Sequence, residues 1–180
     1  NIAPCMDQAT VAIEDKDFYK HGGISPTGIM RAFISNSRGN DVQGGSTLTQ
    51  QLVKNTLLSD EHSYFRKYQE LFMAIAVEQN YSKDQILAMY LNSVYYGENA
   101  FGVEDAAKAY FNTTPDKLSL AQSAMLVGLL PAPARYSPIS GNRDYAIERQ
   151  NTVLTRMVKN GFITEEKKAA AAAEQLEYGA

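Results

Sequence analysis

Gln43-Gly44-Gly45-Ser46-Thr47-Leu48-Thr49-Gln50-Gln51-Leu52-Val53-Lys54-Asn55 joins a glycine-permitted turn to a helix start and a row of hydrogen-bonding side chains, a combination suited to gripping an anion. Gly44 and Gly45 can take backbone angles closed to other residues and let a ligand approach the main chain, while Ser46 is a favoured N-cap for the helix that follows. The free N–H groups and positive dipole end of such a helix favour phosphate. Past the cap, Thr47, Gln50, Gln51 and Lys54 fall at i, i+3, i+4 and i+7 and share one face, with Leu48, Leu52 and Val53 on another. The competing reading is an amphipathic helix whose polar stripe is merely solvated, although such a stripe usually carries more Glu and Lys than Gln and Thr. A nucleotide P-loop needs Lys followed by Ser or Thr directly after its second glycine, and the absence of that pair points away from an NTPase.

Two carboxylates carry the second chemical signal. Val11, Glu14, Phe18 and His21 follow one another at three- or four-residue spacings, so a helix through this region sets Glu14 on a partly apolar stripe. Desolvation there raises a carboxyl pKa, which is the condition for a general base near neutral pH. The alternative is a solvated acidic face made by Glu14, Asp15 and Asp17; complementation of the helix dipole suits only the first turn, and Glu14 lies further in. Glu70, with Lys67 three residues before it and Arg66 four before, reads in two ways. It is either half of a surface ion pair worth roughly 0.2 to 0.5 kcal/mol, or a carboxylate that orients cations facing a diphosphate or assists proton transfer. Two separated carboxylates are the usual equipment for chemistry at a sugar's anomeric carbon.

The elements that must position these groups read as almost entirely helical, because alternating β-branched runs are absent while helical periodicity with caps recurs from end to end. A first helix is expected from about Asp7 to Lys20, stopped by Gly22-Gly23, and a second from Ser25-Pro26 to about Asn36. A polar surface loop over 35–43 leads into the helix at Thr47. A long helix follows from about Tyr64 to Gln79, and Ser82 with Gln85 forms a capping box for another that ends near Gly97. Shorter helices are expected over 103–111 and 120–129, bounded by Pro115, Pro131 and Pro133, and two more over 144–160 and from Thr164 into the alanine run 169–173.

With 180 residues, 44% of them hydrophobic, the chain suffices for one compact domain and not for two large ones. A net charge of −3 supplies no global basic field, so nucleic acid is not an expected partner. Cys5 stands alone and His21 and His62 are the only histidines, which excludes an internal disulfide framework and a Cys/His zinc cluster. No run of about 18 apolar residues and no signal peptide occurs. The abrupt start at Asn1-Ile2-Ala3-Pro4, close to a helix that already carries chemistry, reads as that of a fragment whose preceding membrane helix was cut away.

The residues resemble the peptidoglycan glycosyltransferases, the family 51 glycosyltransferase domain of penicillin-binding proteins and monofunctional transglycosylases. Glu14-Asp15-Lys16-Asp17-Phe18-Tyr19-Lys20-His21 with Gly23 and Arg31-Ala32 matches that family's first motif, and Gly44 through Gln51 its second. Arg66-Lys67 with Glu70, then Glu78, Ser82-Lys83, Ile86-Leu87 and Tyr90-Leu91-Asn92, matches the third. Ala109-Tyr110-Phe111 resembles the short fourth motif, and Leu118 through Pro133 to Tyr136-Ser137-Pro138 the fifth. The likeness thus covers nearly the whole chain, in the family's order.

The resemblance implies a lysozyme-like helical head with a smaller membrane-facing jaw over roughly 25–62, within one catalytic domain spanning 1–180. It implies action on lipid II and the growing glycan strand at the extracytoplasmic face of the bacterial cytoplasmic membrane, in cell-wall synthesis and cell shape, with the membrane surface and other cell-wall synthesis proteins as partners. By that analogy Glu14 is the general base for the acceptor's 4-hydroxyl, and the reaction inverts to a β-1,4 product with release of undecaprenyl diphosphate. Lys54, Arg66 and Lys67 stabilise the leaving diphosphate, directly or through a divalent cation such as Mg or Mn, with no organic cofactor. Ser46, Gln50 and Gln51 hold sugar or phosphate, Glu70 joins the catalytic set in support of the cations, and Phe18, His21, Arg31, Gly44, Gly45 and Thr47 complete the substrate site.

Two positions depart from the family pattern. Gln122 stands where the fifth motif commonly has Glu, and is expected to keep a structural hydrogen bond; His62 replaces a residue that is usually Arg and lacks its permanent charge. Tyr90, Tyr95, Tyr96, Tyr110 and Phe111 read as packing, and Met73, Met89 and Met125 as core filler. A lysozyme-like hydrolase or lytic enzyme and a non-catalytic glycan-binding module are the competing classes. A hydrolase has no use for an anion turn backed by Lys54, Arg66 and Lys67, and a binding module has none for Glu14 on a half-apolar stripe.

Overall fold

The computed structural model describes residues 1–23, 46–56, 58 and 64–179. Among these the helices are α1 (Pro4–Glu14), α2 (Leu48–Thr56), α3 (Tyr64–Asn80), α4 (Lys83–Ser93), α5 (Gly102–Phe111), α6 (Leu120–Leu129), α7 (Pro133–Tyr136), α8 (Arg143–Lys159) and α9 (Glu165–Ala173), with a 3₁₀ turn at Pro115–Lys117. The all-α reading holds for the described residues, whose β structure is a single bridge between Tyr95 and Phe101. The second helix expected from Ser25, the 35–43 loop, Arg31, Gly44, Gly45, His62 and most of the expected jaw lie outside the described residues.

The chain divides into two units, Asn1–Ile13 with Leu91–Ala180, and Glu14–Tyr90. In the first, α6 is apolar on all sides and buried from Ser123 to Leu129, as a central helix must be. α8 lays Ala146, Gln150, Val153, Leu154 and Met157 inward, a stripe at helical spacing. It grips α6 near both ends, since Arg149 Nε donates to the Gly128 carbonyl at 2.9 Å and Gln150 Nε2 to that of Ala121 at 2.9 Å. A Cβ on Gly128 would sit 3.1 Å from the Arg149 backbone, so the glycine sets how closely these helices approach.

The expected role of Gln122 is borne out. The Ser119 hydroxyl accepts from the Gln122 N–H at 3.1 Å, and the Gln122 side chain accepts from the Ser119 N–H at 2.9 Å, a complete capping box on α6. Glu would satisfy the same geometry. Gln122→Glu is therefore expected to leave stability within about 0.5 kcal/mol, and Gln122→Ala to cost about 1 kcal/mol, read from denaturant midpoints.

Two helix ends differ from expectation because turn and bridge hydrogen bonds replace the helical pattern sooner than the side-chain periodicity implies. α4 stops at Ser93 rather than near Gly97, because the Val94 carbonyl accepts from the Gly102 N–H at 2.8 Å and the Tyr96 N–H donates to Ala100 at 2.9 Å. α1 ends at Glu14 instead of running to Lys20. Residues 15–20 form turns closed by bonds from Phe18 N–H to Asp15 at 3.0 Å and from Lys20 N–H to Asp17 at 2.8 Å. Glu14 consequently closes a helix, and Phe18 and His21 belong to the turn beyond it.

Candidate active site

The site is built within the second unit, around the start of α2. Thr47, rather than Ser46, is the N-cap: its hydroxyl accepts from the Gln50 N–H at 3.1 Å, and the Gln50 side chain accepts from the Thr47 N–H at 2.9 Å. The pair is a capping box in which Gln replaces the more familiar Glu. The Thr47 hydroxyl donates to the Gly23 carbonyl at 2.6 Å, which ties the box to the turn after Glu14. Gly23 has φ +104, and a Cβ there would stand 2.7 Å from the Ala74 carbonyl of α3, so only glycine lets this turn lie so close.

The helix end expected to hold an external phosphate already holds a carboxylate of the protein. Asp15 Oδ2 accepts from the Leu48 N–H at 3.1 Å, a negative group on the positive end of α2. The same oxygen meets His21 Nε2 at 2.5 Å, with both side chains only 6% exposed. Because Gly23 N–H donates to His21 Nδ1 at 3.1 Å, that nitrogen is the acceptor and Nε2 carries the proton given to Asp15. On the other side of α2, Thr49 donates to Glu78 Oε1 at 2.7 Å, and Lys83 Nζ reaches the same oxygen at 2.8 Å.

The four polar side chains of α2 therefore do not make one ligand-facing stripe. Thr47 is 2% exposed and Gln50 fully covered, both held inside, whereas Gln51 is half-buried and Lys54 exposed. Phe18 is corrected likewise: its ring is fully buried, edge-on to His21 at 5.8 Å and beneath the Lys83 ammonium at 4.6 Å, so it packs beneath the network and offers no face to a sugar. His21, through its bonds to Asp15 and Gly23, orders the turn.

The basic side chains of α3 stand differently. Glu70 is buried and accepts from Lys67 Nζ at 2.9 Å and from Gln50 Nε2 at 3.4 Å. Lys67, half exposed, also donates to the Ser46 hydroxyl at 3.3 Å, so one ammonium is held by a buried carboxylate while part of it faces solvent. Arg66 donates to Gln69 Oε1 at 2.9 Å. Glu70 thus forms an ion pair with Lys67 across one turn of α3, with its carboxylate on the buried side.

Glu14, half-buried at the end of α1, acts electrostatically on Tyr90 of α4. Burial pushes the Tyr90 phenol well above its usual range, and the negative charge of Glu14 adds to the rise. The Tyr90 hydroxyl donates to Gln51 Oε1 at 3.3 Å. Glu14, Tyr90 and Gln51 are thus brought to one region, and Tyr90, read from the sequence as packing, links them. Asp15, Thr49, Glu78, Lys83 and Tyr90 were given no role by spacing, since each acts across elements far apart in the chain. Their signal was a cluster of polar side chains beside helix ends.

Comparison with known proteins places the chain in a family. The profile of the transglycosylase family matches residues 1–158. Penicillin-binding protein 1A of Escherichia coli is 44% identical over 167 residues, covering 92% of this chain and 20% of that protein. Penicillin-binding protein 1A of Aquifex aeolicus is 46% identical over 160 residues, covering 88% of this chain and 22% of that protein. Among solved structures, penicillin-binding protein 1A from Haemophilus influenzae matches with a TM-score of 0.51 at 27% identity, over 73% of this chain and 16% of that one. The fold is thus all-α and lysozyme-like, and the chain belongs to the transglycosylase family, whose chemistry is hexosyl transfer in peptidoglycan synthesis. It spans about a fifth of the length of these relatives.

Proposed function

We propose that the chain polymerises lipid II into β-1,4-linked glycan strands with inversion, at the extracytoplasmic face of the cytoplasmic membrane. The observation that carries this reading is the Lys67 ammonium, held at 2.9 Å by buried Glu70 yet half open to solvent, a preorganised cation of the kind a departing diphosphate needs. In the proposed step the acceptor's 4-hydroxyl oxygen attacks the anomeric carbon of the lipid-linked donor as Glu14 takes its proton. The bond from that carbon to the diphosphate oxygen breaks, and its electrons leave with undecaprenyl diphosphate. Lys67, with Lys54 and Arg66, offsets the charge gathering there, while Ser46 and Gln51 contact sugar or phosphate.

Thr47, Gln50, His21 and Glu70 serve this step by positioning. Among the described residues no three acidic, histidine or cysteine side chains converge on a metal position. A divalent cation, Mg or Mn, accompanying the diphosphate would find no ready cage among them. No described helix is long and apolar enough to cross a membrane. The membrane surface and other cell-wall synthesis proteins are partners in this reading through the longer protein to which such domains belong.

Incubation with labelled lipid II tests it. Long glycan strands together with released lipid diphosphate are the expected products. Muropeptide fragments from preformed wall, without polymer from lipid II, would instead establish the lytic reading.

A further inference from the structure

Lys83 is the first residue of α4, following the Ser82–Gln85 capping box. A cation there opposes the helix dipole, at a cost of a few tenths of a kcal/mol that the neighbouring Asp84 of the same first turn offsets in part. Its side chain, 22% exposed, runs to the turn after Glu14. There Nζ donates to the His21 carbonyl at 2.5 Å and to Glu78 Oε1 at 2.8 Å, and lies 4.6 Å from the centre of the Phe18 ring. One ammonium therefore ties three segments together: the 15–23 turn, α3 and the start of α4.

The two carboxylates that hold the first turn of α2 both lead back to it. Glu78 accepts from Thr49 and from Lys83 through the same oxygen. Asp15 accepts from Leu48 N–H and from His21, whose backbone Lys83 holds. Asp15 immediately follows Glu14, so the loop of bonds that begins and ends on Lys83 sets where the Glu14 carboxylate stands relative to α2. We propose that Lys83 is a positioning residue for the transfer step: it fixes Glu14 against α2 through the 15–23 turn and Glu78, and does not itself touch substrate. The proposal rests on the reading of Glu14 as the base.

The test is steady-state kinetics of the polymerising protein with lipid II, for Lys83→Met, Lys83→Arg and Thr49→Val, each alone and with Glu14→Gln. A displacement of the base by about 1 Å is enough for a loss near 10²-fold. Lys83→Met is expected to lower kcat by about 10–100-fold with KM for lipid II held within about threefold, and Lys83→Arg to recover part of that loss. Thr49→Val, which removes a single hydrogen bond to the Glu78 carboxylate at the far end of the bridge and leaves the Lys83–Glu78 pair in place, is expected to fold and to lower kcat several-fold with KM unchanged; it decides the matter if Lys83→Met does not fold. Combined with Glu14→Gln, none of the three substitutions is expected to reduce the rate further, since the misplaced group is already gone.

An unchanged kcat in folded Lys83→Met, or a loss confined to KM, overturns the proposal, as does an unchanged kcat in Thr49→Val. Full additivity with Glu14→Gln also overturns it. Undiminished synthesis by Glu14→Gln alone defeats the assignment of the base instead, which separates the two failures.

Discussion

Glu14→Gln is expected to fold, to retain lipid-linked substrate, and to lose polymerisation by about 10²–10⁴-fold, the range over which a positioned general base contributes. The substitution keeps the size and hydrogen-bonding reach of the side chain and removes the site that accepts a proton. Glu14 ends α1 and is half-buried, so little of the fold depends on its charge. The loss belongs in kcat, because an interaction made only as the proton moves leaves ground-state binding intact. Rates with labelled lipid II, beside an equilibrium binding measurement, separate the two. Glycan synthesis at the parent rate would remove Glu14 from the mechanism.

Lys67→Ala is expected to carry the next largest effect, a fall in kcat of about 10²-fold, comparable to deleting one preorganised donor aimed at developing charge. The accompanying stability change is expected to be moderate, about 1–3 kcal/mol, because Lys67 is 48% exposed but its partner Glu70 only 8%, and a buried carboxylate is left without its cation. A thermal melt and a rate measurement on the same sample therefore discriminate. A large Tm drop with full kcat per folded molecule would make Lys67 a structural cation and return the diphosphate to Lys54 and Arg66. Glu70→Gln provides the converse control: the ammonium stays but loses its anionic anchor, so a milder kcat loss is expected.

Helix identity was legible because caps and periodicity are local. Thr164, Asn142 and Ser119 accept from N–H groups of the helices they precede, as residues of their kind do. The Ser82–Gln85 box and the extent of α3 were equally readable. The end of α1 was not, because the periodicity of Val11, Glu14, Phe18 and His21 continues past Glu14 while the backbone does not. Past Glu14 the chain turns, and the Asp15 side chain accepts from Leu48 N–H, 33 residues away, a contact with no local signature.

The same division runs through the site. Residue type and order alone pointed to a mainly helical chain, to a base candidate at Glu14 and a cationic group around Glu70, and to membership in the transglycosylase family. Those properties follow from short spacings and side-chain chemistry, which a linear chain displays. Only the tertiary structure decided that Asp15 occupies the helix end expected to receive phosphate, that Thr47, Gln50 and Phe18 are interior supports, and that Lys67 is the cation Glu70 holds. Each of these depends on which buried polar group finds which partner. An unpaired buried donor or acceptor costs about 1–3 kcal/mol, so the pairing is settled by the whole packed unit and not by any one segment of it.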